Sequence, residues 1–135
     1  MIIACLGIVA TVGAALALAP AQAHHSYAAF DQCKTVVLEG EINGVEWVNP
    51  HILIDLRTED VAHYRIEWFS LDQLNRAEIP AETLKPGDRV VITGNAIRDP
   101  SLRVMSRLSA IHRARDDWSW VRSQPRLTPT DCAAG

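Results

Sequence analysis

The chain has 135 residues, of which 48% are hydrophobic, and a formal net charge of −3 with histidine neutral. This length suits one ordinary domain with a modest core. The mildly acidic balance excludes the strongly basic surface that nucleic-acid binding requires, so we expect no nucleic acid among the partners.

The N-terminal segment is typical of an export signal. Residues 2–19 form an uninterrupted apolar run, and Ala21-Gln22-Ala23 is the small-residue pattern after which a signal peptidase cuts. We predict a signal peptide over residues 1–23, cleaved after Ala23, and a periplasmic or secreted mature protein without a stable membrane span. No Lys or Arg precedes the run, so a retained anchor at the short limit of bilayer length is the alternative.

The mature start carries three nitrogen donors. Cleavage places a free α-amine on His24, beside the imidazoles of His24 and His25. These groups titrate near pH ~8 and ~6.5, so they are available to a metal near neutrality, and nitrogen-rich sets of this kind suit copper. The alternative is a polar start without a metal function. Residues 24–34 are predicted as an N-terminal arm.

The first half of the domain predicts three strands. Residues 35–44 alternate with strand periodicity, and the glycines within them predict bulges or sharp bends. The turn pair Asn49-Pro50 precedes a second strand at residues 52–57, and a polar loop at residues 58–60 leads to the third. The third strand places on one face Tyr64, Ile66 and Trp68.

The second half begins with a change to helical periodicity. Ser70 to Gln73 fits a capping box, and Ile79-Pro80 ends a helix of about two turns. A fourth strand follows at residues 89–97, and a fifth at residues 102–111. Residues 116–135 are predicted as an irregular tail. The fifth strand places on one face Val104, Ser106 and Leu108.

The order of these elements predicts the fold. Three strands, a short helix and two strands, with a bent first strand, is the element order of the OB-fold. We therefore predict a mainly β domain over residues 35–115, a small five-stranded OB-like Greek-key barrel with one short helix between strands 3 and 4. An open α+β sandwich gives a similar order and is the alternative.

The cysteines are informative because of the predicted compartment. Cys5 falls in the signal segment, which leaves Cys33 and Cys132 near the two ends of the mature chain. Since exported proteins fold in an oxidising environment, we predict a disulfide between them. Two unpaired thiols are the alternative.

Two motifs occur together in this chain, the mature start His24-His25-Ser26 and the Trp47-Val48-Asn49-Pro50-His51 box. With shorter matches between them and beyond, residues 24–111 resemble DUF6152, a family of small exported bacterial proteins of unknown function. The resemblance implies export and a small β-barrel, and it implies no activity. The chain departs from the family pattern at residues 69–72 and in the tryptophan-bearing tail with Cys132.

The Trp47–His51 box provides the candidate ligand or partner surface, Trp47, Asn49 and His51. His51 would add an imidazole to a metal site if the N-terminal arm folds over this end of the barrel. Alternatively, Asn49 sets the turn and His51 bonds a backbone group. Trp47, Tyr64 and Trp68 could form an aromatic platform for a planar ligand. Alternatively, they belong to the core, as the strand periodicity of residues 64–68 indicates.

No sequence motif indicates catalysis. The chain lacks a Gly-rich phosphate loop, a His-Glu-x-x-His motif and a Cys-x-x-Cys motif. We therefore expect an exported binding or accessory protein without catalytic activity, whose partner is a periplasmic protein or a small ligand. One alternative is a copper-binding protein that uses His24 and His25, joined by His51 if the N-terminal arm folds back. The second is a protein–protein interaction module.

Overall fold

The structure is a computed structural model that describes residues 27–123 and Cys132. The predicted signal peptide, His24 and His25 lie outside the described residues, as does most of the predicted tail beyond residue 123.

The described chain is mainly β, with six strands and one short α-helix. Two 3₁₀ turns, at Tyr27–Ala29 and Pro100–Leu102, join these elements. In chain order the elements are β1 (Phe30–Glu46), β2 (Leu53–Thr58), β3 (His63–Glu67), α1 (Leu71–Arg76), β4 (Arg89–Ile97), β5 (Val104–Arg113) and β6 (Trp118–Val121).

The strands form one sheet in the order β3-β2-β1-β4-β5-β6, with antiparallel neighbours throughout that order. β3 also pairs with β5 in parallel, with Arg65 opposite Val104 and Ile66 opposite Met105. Each of β1 to β5 therefore has at least two strand neighbours. Of the strands in the described chain, β6 alone has a single neighbour.

The core lies among β1 to β5 and is covered by α1. The side chains of Ile42, Ile54 and Ile66 have no exposed surface, and Leu74 of α1 and Leu84 of the following loop pack against the same cluster. The predicted capping box of α1 is confirmed. The Ser70 hydroxyl accepts a hydrogen bond from the Gln73 backbone, and the Ser70 backbone N–H donates to the Gln73 side chain.

The first strand is longer than predicted, because β1 begins at Phe30 rather than at residue 35. Phe30 pairs with Ile97, and after an irregularity the ladder resumes where Thr35 pairs with Asn95. The residues between are mostly polar, so no alternation of apolar residues marks them. Part of the predicted arm is therefore strand, fastened by backbone pairing with β4.

The inward face of β5 differs from the predicted one. Met105 is fully buried and Val104 only partly, while Leu108 is buried as expected. The cause is a bulge, since Thr93 pairs with Ala110 but Asn95 pairs with Ser106. Arg107 within this bulge has φ 51°, and a left-handed residue breaks the alternation of side chains along a strand. The bulge thus changes which residues reach the core.

The predicted irregular tail begins at residue 116, but Trp118–Val121 within it form the strand β6, so the prediction is wrong for these residues. β6 pairs with β5, with Trp120 opposite Ile111, and Trp120 is 9% exposed. Its ring packs edge-on against Trp68, with centroids 5.5 Å apart, and against Phe69, at 5.2 Å.

The predicted disulfide between Cys33 and Cys132 is confirmed.

Gly40 is required by the close approach of β1 and β2. A Cβ atom at this position would overlap the carbonyl oxygen of Arg57, whereas a Cβ at Gly44 in the same strand meets nothing within 4 Å. We expect Gly40→Ala to lower the free energy of unfolding by about 2 kcal/mol, as overpacking does. Gly44→Ala should change it by less than about 1 kcal/mol.

Urea denaturation of the two variants and the wild type tests this expectation. Equal stabilities of Gly40→Ala and Gly44→Ala would contradict the close contact between β1 and β2.

Candidate functional site

The residues predicted as a binding surface lie in the β1–β2 loop, residues 47–52, and all contact the segment that leads into α1. The Asn49 Oδ1 atom accepts a hydrogen bond of 3.2 Å from the backbone N–H of Leu71. The His51 Nδ1 atom lies 3.0 Å from the carbonyl oxygen of Trp68. The ring of Trp47 lies 6.5 Å from that of Trp68, centroid to centroid. The structure thus brings the three predicted residues together.

The hydrogen bond of His51 determines its tautomer. A carbonyl oxygen only accepts, so the Nδ1 atom of His51 carries the proton and donates it to Trp68. The contact matches the alternative in which His51 bonds a backbone group, and a histidine held in this way is also typical of metal ligands.

The two tryptophans near the loop have different roles. Trp68 is 3% exposed and belongs to the core, in agreement with its periodicity, whereas Trp47 is partly buried against it. The indole Nε1–H of Trp68 has no hydrogen-bond acceptor within the described part of the chain. Trp68 therefore serves as core rather than as an open stacking platform.

Beside His51 lies a pocket of about 90 Å³, which we call the arginine pocket. β3, β5, the β1–β2 loop and the first described residue, Tyr27, all contribute to it. Its lining combines aromatic, cationic and acidic groups, among them Tyr27, His51, Glu67, Trp68, Phe69, Arg107 and Arg122.

Each arginine of the pocket is stacked on an aromatic ring. The Arg107 guanidinium carbon lies 4.5 Å from the Tyr27 ring centroid, and that of Arg122 lies 4.7 Å from the Phe69 ring centroid. The Arg122 Nε–H also donates to the Leu108 carbonyl at 2.9 Å. These contacts hold two planar cations in defined orientations.

The two arginines have no ion-pair partner among the described residues, although Glu67 lines the same pocket. Within residues 27–123, neither forms an ion pair with a carboxylate. Burial lowers the pKa of Arg122 below its ordinary value, and the nearby charge of Arg107 lowers it further. Both arginines line the same small pocket, so two like charges lie near each other there.

The sequence analysis missed both arginines. Arg107 lies in a strand where alternation does not foresee a bulge, and Arg122 lies in the region predicted as an irregular tail. Only the pairing of β5 with β6 brings the Arg122 side chain back to Leu108 and Phe69. The alternating tryptophans at positions 118 and 120 were the available signal for this last strand.

Other hollows on the described surface are larger than the arginine pocket and are lined by other charged residues. One of them, of about 510 Å³, includes Asp55 and His63, which lie 2.9 Å apart from Oδ1 to Nδ1. A second hollow, of about 310 Å³, is lined by the acidic Asp31 as well as by basic residues. In the first hollow Asp55 is matched by His63 and also accepts a hydrogen bond from Asn43.

The structure does not test the predicted copper site directly, because His24 and His25 lie outside the described residues. Within residues 27–123 and Cys132, no group of three His, Cys, Asp or Glu side chains is arranged to hold a metal ion. In that same part of the chain, no helix has the length and apolar character needed to cross a bilayer.

The fold and this site define a small, mainly β protein with a cationic pocket beside its β1–β2 loop. The chain belongs to the family of unknown function DUF6152, whose model matches residues 12–105. The family resemblance drawn from the sequence is thereby confirmed. Comparison with curated proteins finds no match, and comparison with solved structures finds none.

Proposed function

We propose that the protein is an exported, non-catalytic binding protein built on an OB-like Greek-key barrel. Its partner is a periplasmic protein or a small ligand that binds beside the β1–β2 loop, at the surface formed by Trp47, Asn49 and His51. Export is proposed from the signal pattern of residues 1–23.

The strand pairings support the barrel. The parallel pairing of β3 with β5 completes the series β1-β2-β3-β5-β4-β1, in which every strand has a neighbour on both sides. The helix lies between the third and fourth strands, where an OB-fold has one. In that fold the loop between the first two strands is a common ligand-binding element.

The observation that carries the binding function is the pair of arginines beside this loop that have no ion-pair partner in the described chain. Like charges that share a partly buried pocket destabilise the folded protein unless a ligand or partner provides the opposite charge. Natural chains tolerate such an arrangement at functional sites, where binding of a ligand offsets the repulsion. The arginine pocket therefore supports recognition of a ligand better than a purely structural role.

The test is a native mass spectrum of protein purified from the periplasm without chelators or an N-terminal tag. We expect a chain that starts at His24 and carries a bound molecule. His51→Ala should lose that molecule with an unchanged circular dichroism spectrum, and Val48→Ala should retain it, since Val48 is 45% exposed in the same loop. A wild-type chain without a bound mass, or a bound mass that persists in His51→Ala, would overturn the proposal.

Copper binding by His24 and His25 is the alternative function. One observation supports a contribution from His51, which lines the same pocket as Tyr27. The two residue steps from Tyr27 back to His25 span at most about 7 Å. The chain length therefore allows the imidazoles of His25 and His51 to reach one ion.

Copper titration of the correctly cleaved chain tests this alternative. We expect stoichiometric Cu(II) binding that weakens as the pH falls below about 6.5, because protons compete for the amine and imidazole nitrogens. Acetylation of the α-amine, or His24→Ala, should lower the affinity by orders of magnitude, whereas His63→Ala should leave it unchanged. An affinity that survives acetylation and His24→Ala would exclude a site at the mature N-terminus.

The second alternative is a protein–protein interaction module that uses the same surface. The native mass spectrum distinguishes it from ligand binding, since a protein partner adds kilodaltons and a small ligand adds hundreds of daltons. A partner of either kind should be lost in His51→Ala.

A further inference from the structure

We propose that the arginine pocket binds a carboxylate group. This assignment rests on the proposed binding function and narrows it to one ligand chemistry. The carboxylate belongs either to a small organic acid or to the C-terminus of a peptide, and the experiment below distinguishes the two.

The guanidinium groups match a carboxylate in shape and charge. Guanidinium N–H groups form a planar fork that can donate two parallel hydrogen bonds to the oxygens of a carboxylate. Arg107 stacked on Tyr27 and Arg122 stacked on Phe69 are held in place before any ligand arrives. A preordered donor set loses little side-chain entropy on binding, which favours the ligand.

Two residues of the pocket also carry hydrogen-bond donors without an acceptor. Within the described residues, neither the Trp68 indole Nε1–H nor the Arg107 Nε–H donates to any oxygen. Buried N–H groups are almost always paired, so each such group requires an explanation. Both residues line the arginine pocket, so a carboxylate bound there would lie beside the side chains that carry these donors.

Charge and size favour a carboxylate over a phosphate. Arg107 and Arg122 contribute two positive charges and Glu67 one negative charge, so these three side chains leave one net positive charge, which suits a monoanion. Phosphate esters carry nearly two negative charges at neutral pH. The volume of about 90 Å³ accommodates the head group of a ligand but not a drug-sized molecule. The remainder of the ligand must therefore extend out of the pocket.

The test is a titration followed by ¹H–¹⁵N NMR, which observes the indole N–H of each tryptophan and the Nε–H of ordered arginines. Sodium formate, sodium phosphate and sodium chloride are added separately at constant ionic strength to the chain that begins at His24. We expect formate to shift the Trp68 and Arg107 side-chain resonances saturably. Phosphate should bind at least tenfold more weakly, and chloride should give no saturable shift.

Variants separate a site from general charge screening. Arg107→Gln and Arg122→Gln should each weaken formate binding at least tenfold, while Arg76→Gln, an exposed arginine at the end of α1, should not. Because a glutamine variant could perturb the fold, Arg122→Lys provides a second test. It retains the charge but not the planar fork, and should weaken binding several-fold. Equal shifts in the wild type and Arg107→Gln, or tighter binding of phosphate, would overturn the proposal.

The source of the carboxylate follows from a second titration with trialanine and with its C-terminal amide. If trialanine binds more tightly than formate and its C-terminal amide does not bind, the pocket is assigned to peptide C-termini. Tighter binding of formate assigns it to small organic acids.

The two proposals can fail separately. A chain that retains its co-purified molecule but binds no formate keeps the binding function and loses the carboxylate assignment. If the protein binds formate but carries no co-purified molecule, the carboxylate assignment of the pocket stands, and the proposal of a resident partner loses its support.

Discussion

Arg113→Met is expected to lower the free energy of unfolding by about 3–5 kcal/mol, because it leaves a buried carboxylate without its main partner. Arg113 and Asp88 are 6% and 5% exposed, and their side chains lie 3.2 Å apart. The Arg113 guanidinium also donates to the Thr83 carbonyl and to both oxygens of Asp116, the latter at 2.9 Å each. The network joins the end of β5 to the loop before β4.

Arg115→Met is the matched control. The Nε atom of Arg115 lies 3.3 Å from the other oxygen of Asp88, but the Arg115 side chain is 58% exposed. Since the exposed Arg115 charge is screened by water and Asp88 keeps its bond to Arg113, the loss of Arg115 should change stability by about 1 kcal/mol or less. Urea denaturation of both variants measures the difference. Similar losses in the two variants would mean that the burial of Arg113 contributes nothing to the stability of the fold.

The pH dependence provides a second readout of the same network. The hydrogen bond from Arg113 lowers the pKa of Asp116, and Asp116 raises the pKa of Arg113. A lowered carboxyl pKa adds stability above the unfolded pKa of about 3.9, and this stability is lost as the pH falls through the lower folded value. Below about pH 4 the stability of the wild type should therefore decline more steeply than that of Arg113→Met.

The double substitution Cys33→Ser/Cys132→Ser is expected to destabilise the protein by up to about 4.7 kcal/mol. The two cysteines are 99 positions apart, and the loop-entropy relation gives roughly this value for a loop of about 100 residues. In a domain of this size the melting temperature should fall by up to about 20 °C. Scanning calorimetry under oxidising conditions measures the shift.

Reduction of the wild type is the control for the substitutions themselves. A thiol reductant should lower the wild-type melting temperature to that of the double variant and leave the variant unchanged. A reduced wild type that melts well above the variant would show that the serines, rather than the missing bond, cause the loss. A double variant that melts with the oxidised wild type would refute the expected stabilisation.

Much of the local structure was predictable because local chemistry determines it. The alternation of residues 52–57 and 64–68 and the Ser70–Gln73 capping box act between residues close in sequence, and the structure has each of them. The disulfide followed from the number of cysteines and the expected compartment. The Trp47–His51 box was also recognisable, since its residues lie within five positions.

The rest depends on contacts between residues far apart in the chain. Arg113 follows the fifth strand predicted from periodicity and no local pattern marks it as buried, yet it is buried because Asp88, 25 positions earlier, provides the opposite charge. Arg107 and Arg122 share a pocket because a bulge in β5 and the pairing of β6 turn them towards Tyr27 and Phe69. The periodicity of a sequence reports which residues are apolar, but not which distant groups will neutralise or repel a charge.

The sequence by itself determined the family, the mainly β class, the order of the first five strands and the cysteine pair, since these follow from short patterns and composition. Only the tertiary structure decided the parallel pairing of β3 with β5, the sixth strand and the arginine pocket. Pairing partners are selected by the free energy of the whole packed sheet, in which hydrogen bonds and buried surface join segments that no local pattern relates.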